Sequence, residues 1–254
     1  MLKLTKLIFI MLLLVGVGHK SILSAEANNN FSLAEAEFAD LIVEADIKLD
    51  VNDRSGAEQL LIQASQILNQ NPNIDVFLKA HYNKVYGKIY MAYDAAIALQ
   101  YFNTSISQFS GNTLEQAEAK MFIGITYYYA GNYTTAKNYF EEAKTVFDSS
   151  ADMQKSAQAL NNLGVLYYQQ GDAQNAEQFC RSSLDINNAI GNRVNSVRNQ
   201  QNIAIITGVG SLEALSDWLE EEITAAAGGT GTGSGGTTIT TSGGGTVVVT
   251  TPGG

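Results

Sequence analysis

The segments Met121–Tyr139, MFIGITYYYAGNYTTAKNY, and Asn161–Phe179, NNLGVLYYQQGDAQNAEQF, share few identities, yet Gly, Tyr, Gly and Ala recur in the same places. Setting Gly124 over Gly164 puts Tyr127 on Tyr167, Gly131 on Gly171 and Ala136 on Ala176, a period of 40 residues. Such a period restricts a chain to repeat architectures, because one unit cannot bury its apolar face alone and must stack on its neighbours. Sliding back, Gly87 takes the same place, followed by Tyr90 and by Phe102 at the position of Tyr139 and Phe179. Sliding forward brings Ala204 there, with Gly208, Ser216 and Leu219 behind it. The first unit is the faintest, with Ala45, Ala57 and Leu60 at the matching places and VNDRSG as its turn, so five units fill residues 31–226.

Within a unit the apolar residues fall three and four apart, which predicts helices. Pro72 is the only proline between Phe31 and Thr224. Gly164 and Ala176 lie twelve apart on the two arms of a helix–turn–helix. Small side chains there let antiparallel helices approach closely while Leu163, Tyr167 and Phe179 fill the surrounding space. Gly171 can take positive φ and end the first helix. Asp172 can then cap the second, and Gly131-Asn132 repeats the signal. Glycine inside a helix costs about 0.5–1 kcal/mol against alanine, so its recurrence at 87, 124 and 164 points to close packing. The expected fold is an all-α solenoid.

The N-terminus is a separate object. Lys3 and Lys6 precede an apolar run from Leu7 to Val17, which as helix rises only about 16 Å against a hydrocarbon core of about 30 Å. This predicts a secretory signal peptide over residues 1–27, cleaved after Ala27 or, one site earlier, after Ala25. An uncleaved anchor is the competing reading; no cysteine follows the run to carry a lipid. Removal leaves 12 basic and 24 acidic residues, so no stable membrane span remains and the charge argues against a nucleic-acid binder. The single cysteine, Cys180, excludes an internal disulfide and sits in an apolar helical pattern, as a buried small hydrophobe would. The chain is expected to be exported, to the periplasm or beyond it.

After Ala227 the composition changes to an uncharged Gly/Thr-rich tail, residues 227–254. Two β-prone runs, 237–241 and 246–251, flank SGGG and could turn a hairpin. An isolated hairpin is marginal in water, so a free tail competes with strand addition by Thr246, Val247, Val248, Val249 and Thr250 to a partner's sheet edge.

Leu163-Gly164, Tyr167, Ala176 and Phe179 in one unit, and Ile123-Gly124, Tyr127, Ala136, Phe140 and Ala143 in another, resemble the tetratricopeptide repeat. The spacing and ALNNLGVLYYQQGDAQNAEQFC are similar to the longer variant found in kinesin light chain and bacterial relatives. The resemblance implies that the first helix of each unit lines a concave groove that binds protein or peptide partners. Carried over by position, the groove would hold His81, Lys84, Lys88 and Met91 in the second unit, and Glu118, Met121, Ile125 and Tyr128 in the third. The fourth would give Gln158, Asn161, Asn162, Val165 and Tyr168, and the last Arg198, Gln201, Asn202 and Ile205. Such a groove would be basic at both ends with an aromatic and aliphatic middle.

Two of these groups carry rival readings. Asn162 and Asn202, at equivalent places, could hold a peptide backbone through amide donor and acceptor, or could bridge neighbouring helices. Lys84 and Lys88, one turn apart and a turn after His81, could meet a carboxylate; the favoured reading places them on a solvated face, since only fragments of the family's carboxylate-clamp set occur. Of the tyrosines Tyr127–Tyr129, only Tyr128 is a groove candidate, because consecutive residues do not share a helix face. No H-E-x-x-H, Walker loop, paired-cysteine or G-x-S-x-G motif occurs, so no catalytic residue, metal or cofactor is expected. The oligomeric state stays open. The expected role is a binding scaffold in the bacterial envelope, with a structural, tail-anchored component as the alternative.

Overall fold

The structure, a computed structural model, describes residues 32–208, 237–240 and 246–249. Among the described residues the chain forms nine α-helices: α1 Leu33–Asp50, α2 Arg54–Gln70, α3 Val76–Tyr90, α4 Ala95–Gln108, α5 Thr113–Tyr129, α6 Tyr133–Ser149, α7 Met153–Gln169, α8 Ala173–Ala189 and α9 Arg193–Thr207. Each packs chiefly on its neighbours in sequence, α1 with α2, α3 with α4, α5 with α6 and α7 with α8, giving an α-solenoid. The positions expected to form the second helix of the fifth unit, Ser216 and Leu219, lie outside the described residues, as does the expected signal peptide.

The local chemistry sets each boundary. All nine N-caps are Ser, Asp or Asn, and each side chain accepts from a backbone N–H of the first turn. At the turn after α7, Gly171 takes φ +81°, and the Asp172 and Gly171 N–H groups return to the carbonyls of Tyr167 and Tyr168. Gly131 does the same after α5 at φ +78°. Between α6 and α7 the position falls to Ala151, which holds φ +55° without being glycine.

The repeated glycines mark where paired helices touch. A Cβ on Gly164 would lie 2.5 Å from Cys180 Sγ, one on Gly124 2.7 Å from the Phe140 ring and one on Gly87 2.5 Å from the Phe102 ring. This corrects the alignment of the second unit by one residue. Phe102 occupies the place of Phe140 and Cys180, facing the glycine, whereas Tyr101 stacks on Tyr90 as Tyr139 stacks on Tyr127 and Phe179 on Tyr167. The core runs along the helices as two apolar clusters that share Tyr90. Cys180 is buried, which pushes its thiol up to about 12. None of the described helices is long and apolar enough to cross a membrane.

In the C-terminal unit, taken by itself, β1 Thr237–Thr240 pairs antiparallel with β2 Thr246–Val249, with Thr237 opposite Val249 and Thr240 opposite Thr246. Thr250 lies outside the described residues.

Candidate functional site

The first helices of the units, α1, α3, α5, α7 and α9, lie in a row, each against the next. Most candidate groove residues sit on this row, and their burial decides what they can do. Met121 and Ile125 are buried in the core. So is Tyr128, whose ring packs on Tyr129 and Tyr133, and burial holds its phenol above the usual range.

The lysines are the largest departure from expectation. Lys84 and Lys88 are 3% and 7% exposed, so neither lies on a solvated face. Lys84 Nζ donates at 2.9 Å to Glu115 and at 2.9 Å to Glu118, both on α5. Lys88 Nζ donates to Asp46 on α1 and stands 3.8 Å from Asp50. Burial opposes the Lys84 charge, but Glu118 and Glu115 outweigh it and hold the ammonium above its usual range. Burial likewise opposes the Glu115 charge, and Lys84 outweighs it, so that carboxyl is held below 4.5. His81, 1% exposed, is driven well below the ordinary histidine range by burial and then by Lys84. The N-terminal half of the row therefore carries paired charge where free basic charge was expected.

The pairing continues along the row. Lys155 on α7 reaches Glu118 on α5 at 3.9 Å and Asp152, the N-cap of its own helix, at 3.5 Å. Between α7 and α9 asparagines take over. Asn199 Nδ2 and Asn202 Nδ2 both donate to Asn161 Oδ1, at 2.9 and 2.8 Å. Asn187 Nδ2 of α8 donates to Asn199 Oδ1 at 2.8 Å, and the Ser183 hydroxyl donates to the Ala157 carbonyl at 2.7 Å. Asp46–Lys88, Lys84–Glu115/Glu118, Glu118–Lys155 and Asn161–Asn199/Asn202 thus form a polar ladder with one rung at each junction of the row. For Asn202 the helix-bridging reading holds, with Asn161 as its acceptor. Asn162, also buried, takes no part in these bonds. Gln158, Tyr168 and Arg198 remain half-exposed, with Arg198 donating to Asn195 at 3.0 Å. Burial lowers the Arg198 guanidinium to about 10, partly offset by the charge of Asp50.

Sequence reasoning did not single out Asp46, Glu115, Lys155, Asn187 or Asn199. The available signal was opposite charge about one unit apart on successive first helices, at 46 and 88, 84 and 118, and 118 and 155. Among the described residues no cluster of three His, Cys, Asp or Glu side chains could hold a metal ion.

Family models of the tetratricopeptide repeat match residues 156–190 and 117–147. Together with the helix pairs and their glycine contacts, these matches show that the chain carries tetratricopeptide repeats. Among solved structures it is similar to BtubC (BKLC) from P. vanneervenii, with 20% identity and a TM-score of 0.54 over 78% of this chain and 84% of that one. It is also similar to the apo form of RapI, with 13% identity and a TM-score of 0.53 over 84% of this chain and 60% of that one. Both likenesses are of fold, and the chain spans under two thirds of RapI. No curated protein sequence matches it.

Proposed function

We propose that this protein is an exported scaffold that binds protein or peptide partners on the row formed by α1, α3, α5, α7 and α9, and that it serves assembly in the bacterial envelope. Tetratricopeptide repeats support the protein-interaction part of this reading. The observation behind the choice of this row is the polar ladder. It ties successive first helices into a preformed row, so a partner loses little free energy to ordering the protein. The half-exposed Gln158, Tyr168 and Arg198 form the candidate contact set. Because the charges of the N-terminal half are paired, recognition rests on the C-terminal half and on shape more than on basic charge. No catalytic role or cofactor is proposed.

A pull-down from envelope extract tests this with the full chain, a chain ending at residue 226, and the variants Tyr168→Ala and Arg198→Ala. A partner kept by the shorter chain and lost by either substitution supports the groove. A partner lost only with residues 227–254 sinks the groove reading and favours the second one, strand addition by the tail, which the β1–β2 pairing supports. Export is tested by the N-terminal mass of protein recovered from cells, with a new N-terminus after Ala27 or Ala25 expected.

A further inference from the structure

His81 is one of two histidines in the chain. Its ring lies edge-on to Phe77 at 4.6 Å and to Phe109, at the end of α4, at 4.9 Å. Nε2 makes no hydrogen bond and stands 3.8 Å from Glu115 Oε2, an oxygen that already accepts from Lys84. Glu118 is fully buried, and its Oε1 likewise has no hydrogen-bond partner. The charged groups facing His81 are Lys84 on its own helix, Glu115 and Glu118 on α5, Lys155 on α7 and Asp46 on α1, the last already paired with Lys88. Lys84 is shared by Glu115 and Glu118, and Lys155 stands between Glu118 and Asp152, so the pairs at this junction form without a charge on His81. A further proton on the histidine charges a buried ring whose Nε2 has no hydrogen bond, and one on either glutamate weakens an acceptor of Lys84; both are costly in a buried place.

We propose that the cluster of His81, Lys84, Glu115, Glu118 and Lys155 is an acid-operated latch at the junction of α3, α5 and α7, closed when His81 is neutral and released when the junction takes up a proton. Release parts first helices of successive units, whereas each helix pair keeps its own apolar contact, Phe102 on Gly87 and Phe140 on Gly124. The sign follows from which state binds protons. Burial holds His81 well below 6.5 while the latch is closed, so the open state takes the proton more readily. Falling pH therefore favours opening, beginning below about 6.5. Glu115, held below 4.5 when closed, adds to the loss as pH falls further. This device is independent of which partner the row takes.

The test uses the full chain carrying His19→Gln, which leaves His81 as the single histidine. The ring signals are followed by NMR between pH 8 and 5, together with amide hydrogen exchange in α3 and α5 corrected for intrinsic rate. One proton taken up on opening changes the equilibrium by at most about tenfold per pH unit. A rise in opening approaching that slope below about pH 6.5 is expected, with the closed-state histidine signal remaining that of neutral imidazole. In the same chain with His81→Phe, most of that rise should vanish. Two results overturn the latch: a ring that titrates near 6.5 with unchanged protection, or a His81→Phe chain showing the same rise. The titration reads the native histidine, so it decides the matter even if the phenylalanine variant does not fold.

Discussion

Gly164→Ala tests whether the recurring glycine is there for packing. In an ordinary helix interior this change gains about 1 kcal/mol in propensity. Here the new Cβ would lie 2.5 Å from Cys180 Sγ, 3.1 Å from the Ala176 carbonyl oxygen and 3.2 Å from the Cys180 nitrogen. The sulfur must move by about 1 Å to reach ordinary contact, and it is buried, while the two backbone atoms can yield only if α8 shifts. Overpacking of this kind costs about 1–3 kcal/mol. Set against the propensity gain, the net expectation is a loss of about 1 kcal/mol, a fall in Tm of about 2–4 °C for a solenoid of this length. Cys180→Ala removes the sulfur but leaves the backbone contacts. The double variant should therefore recover part of the loss, with a coupling of about 0.5–1 kcal/mol between the sites. Urea unfolding of the full chain, followed by circular dichroism at the helix band, measures all three variants. If Gly164→Ala is more stable than the parent and the two substitutions simply add, the packing argument is wrong.

Other substitutions probe the ladder and the turns by the same unfolding measurement. Lys84→Met leaves Glu115 and Glu118 buried without their ammonium and should cost about 3–5 kcal/mol; a loss below 1 kcal/mol would mean that the pair behaves as a solvated one. Asn199→Ala removes one of the two donors to Asn161, which keeps Asn202, and the 2.8 Å acceptor of Asn187, and should cost about 1–2 kcal/mol, since a buried polar group left poorly paired costs about 1–3 kcal/mol. Ala151→Gly relieves a residue held at φ +55°; the left-handed penalty of about 1–2 kcal/mol outweighs the entropy that glycine adds to the unfolded chain, so a gain of about 0.5–1 kcal/mol is expected. Asp172→Ala removes the cap of α8 and should cost about 1 kcal/mol.

The helix pairs, their turns and their packing glycines were legible because each depends on one residue type at one place. Gly171 followed by Asp172 states a stop and a start in the backbone's own chemistry. Where that chemistry is missing the signal fades: Ala151 takes the left-handed turn position, so the third-to-fourth boundary has no glycine to announce it. The slip between Tyr101 and Phe102 has a similar origin. Two aromatics stand side by side in α4, and only the facing Gly87 decides which one turns inward.

The inner row was much less legible, because periodicity places a residue on a helix face without saying what lies opposite. Lys84 at a groove position reads as a free cation unless Glu115 and Glu118 are known to meet it from the next unit. The same holds for Asn202, whose amide looks available until Asn161 is found accepting from it. A solenoid makes this ambiguity systematic, since units touch only their neighbours and an apolar layer alone fixes the sliding of one unit on the next only weakly. A polar rung at each junction fixes that register, because a slipped helix would leave a buried charge or amide unpaired. The groove positions of the N-terminal half are therefore used in reading the adjacent unit. That shifts the candidate contact set toward Gln158, Tyr168 and Arg198, where the ladder changes from charge to asparagine.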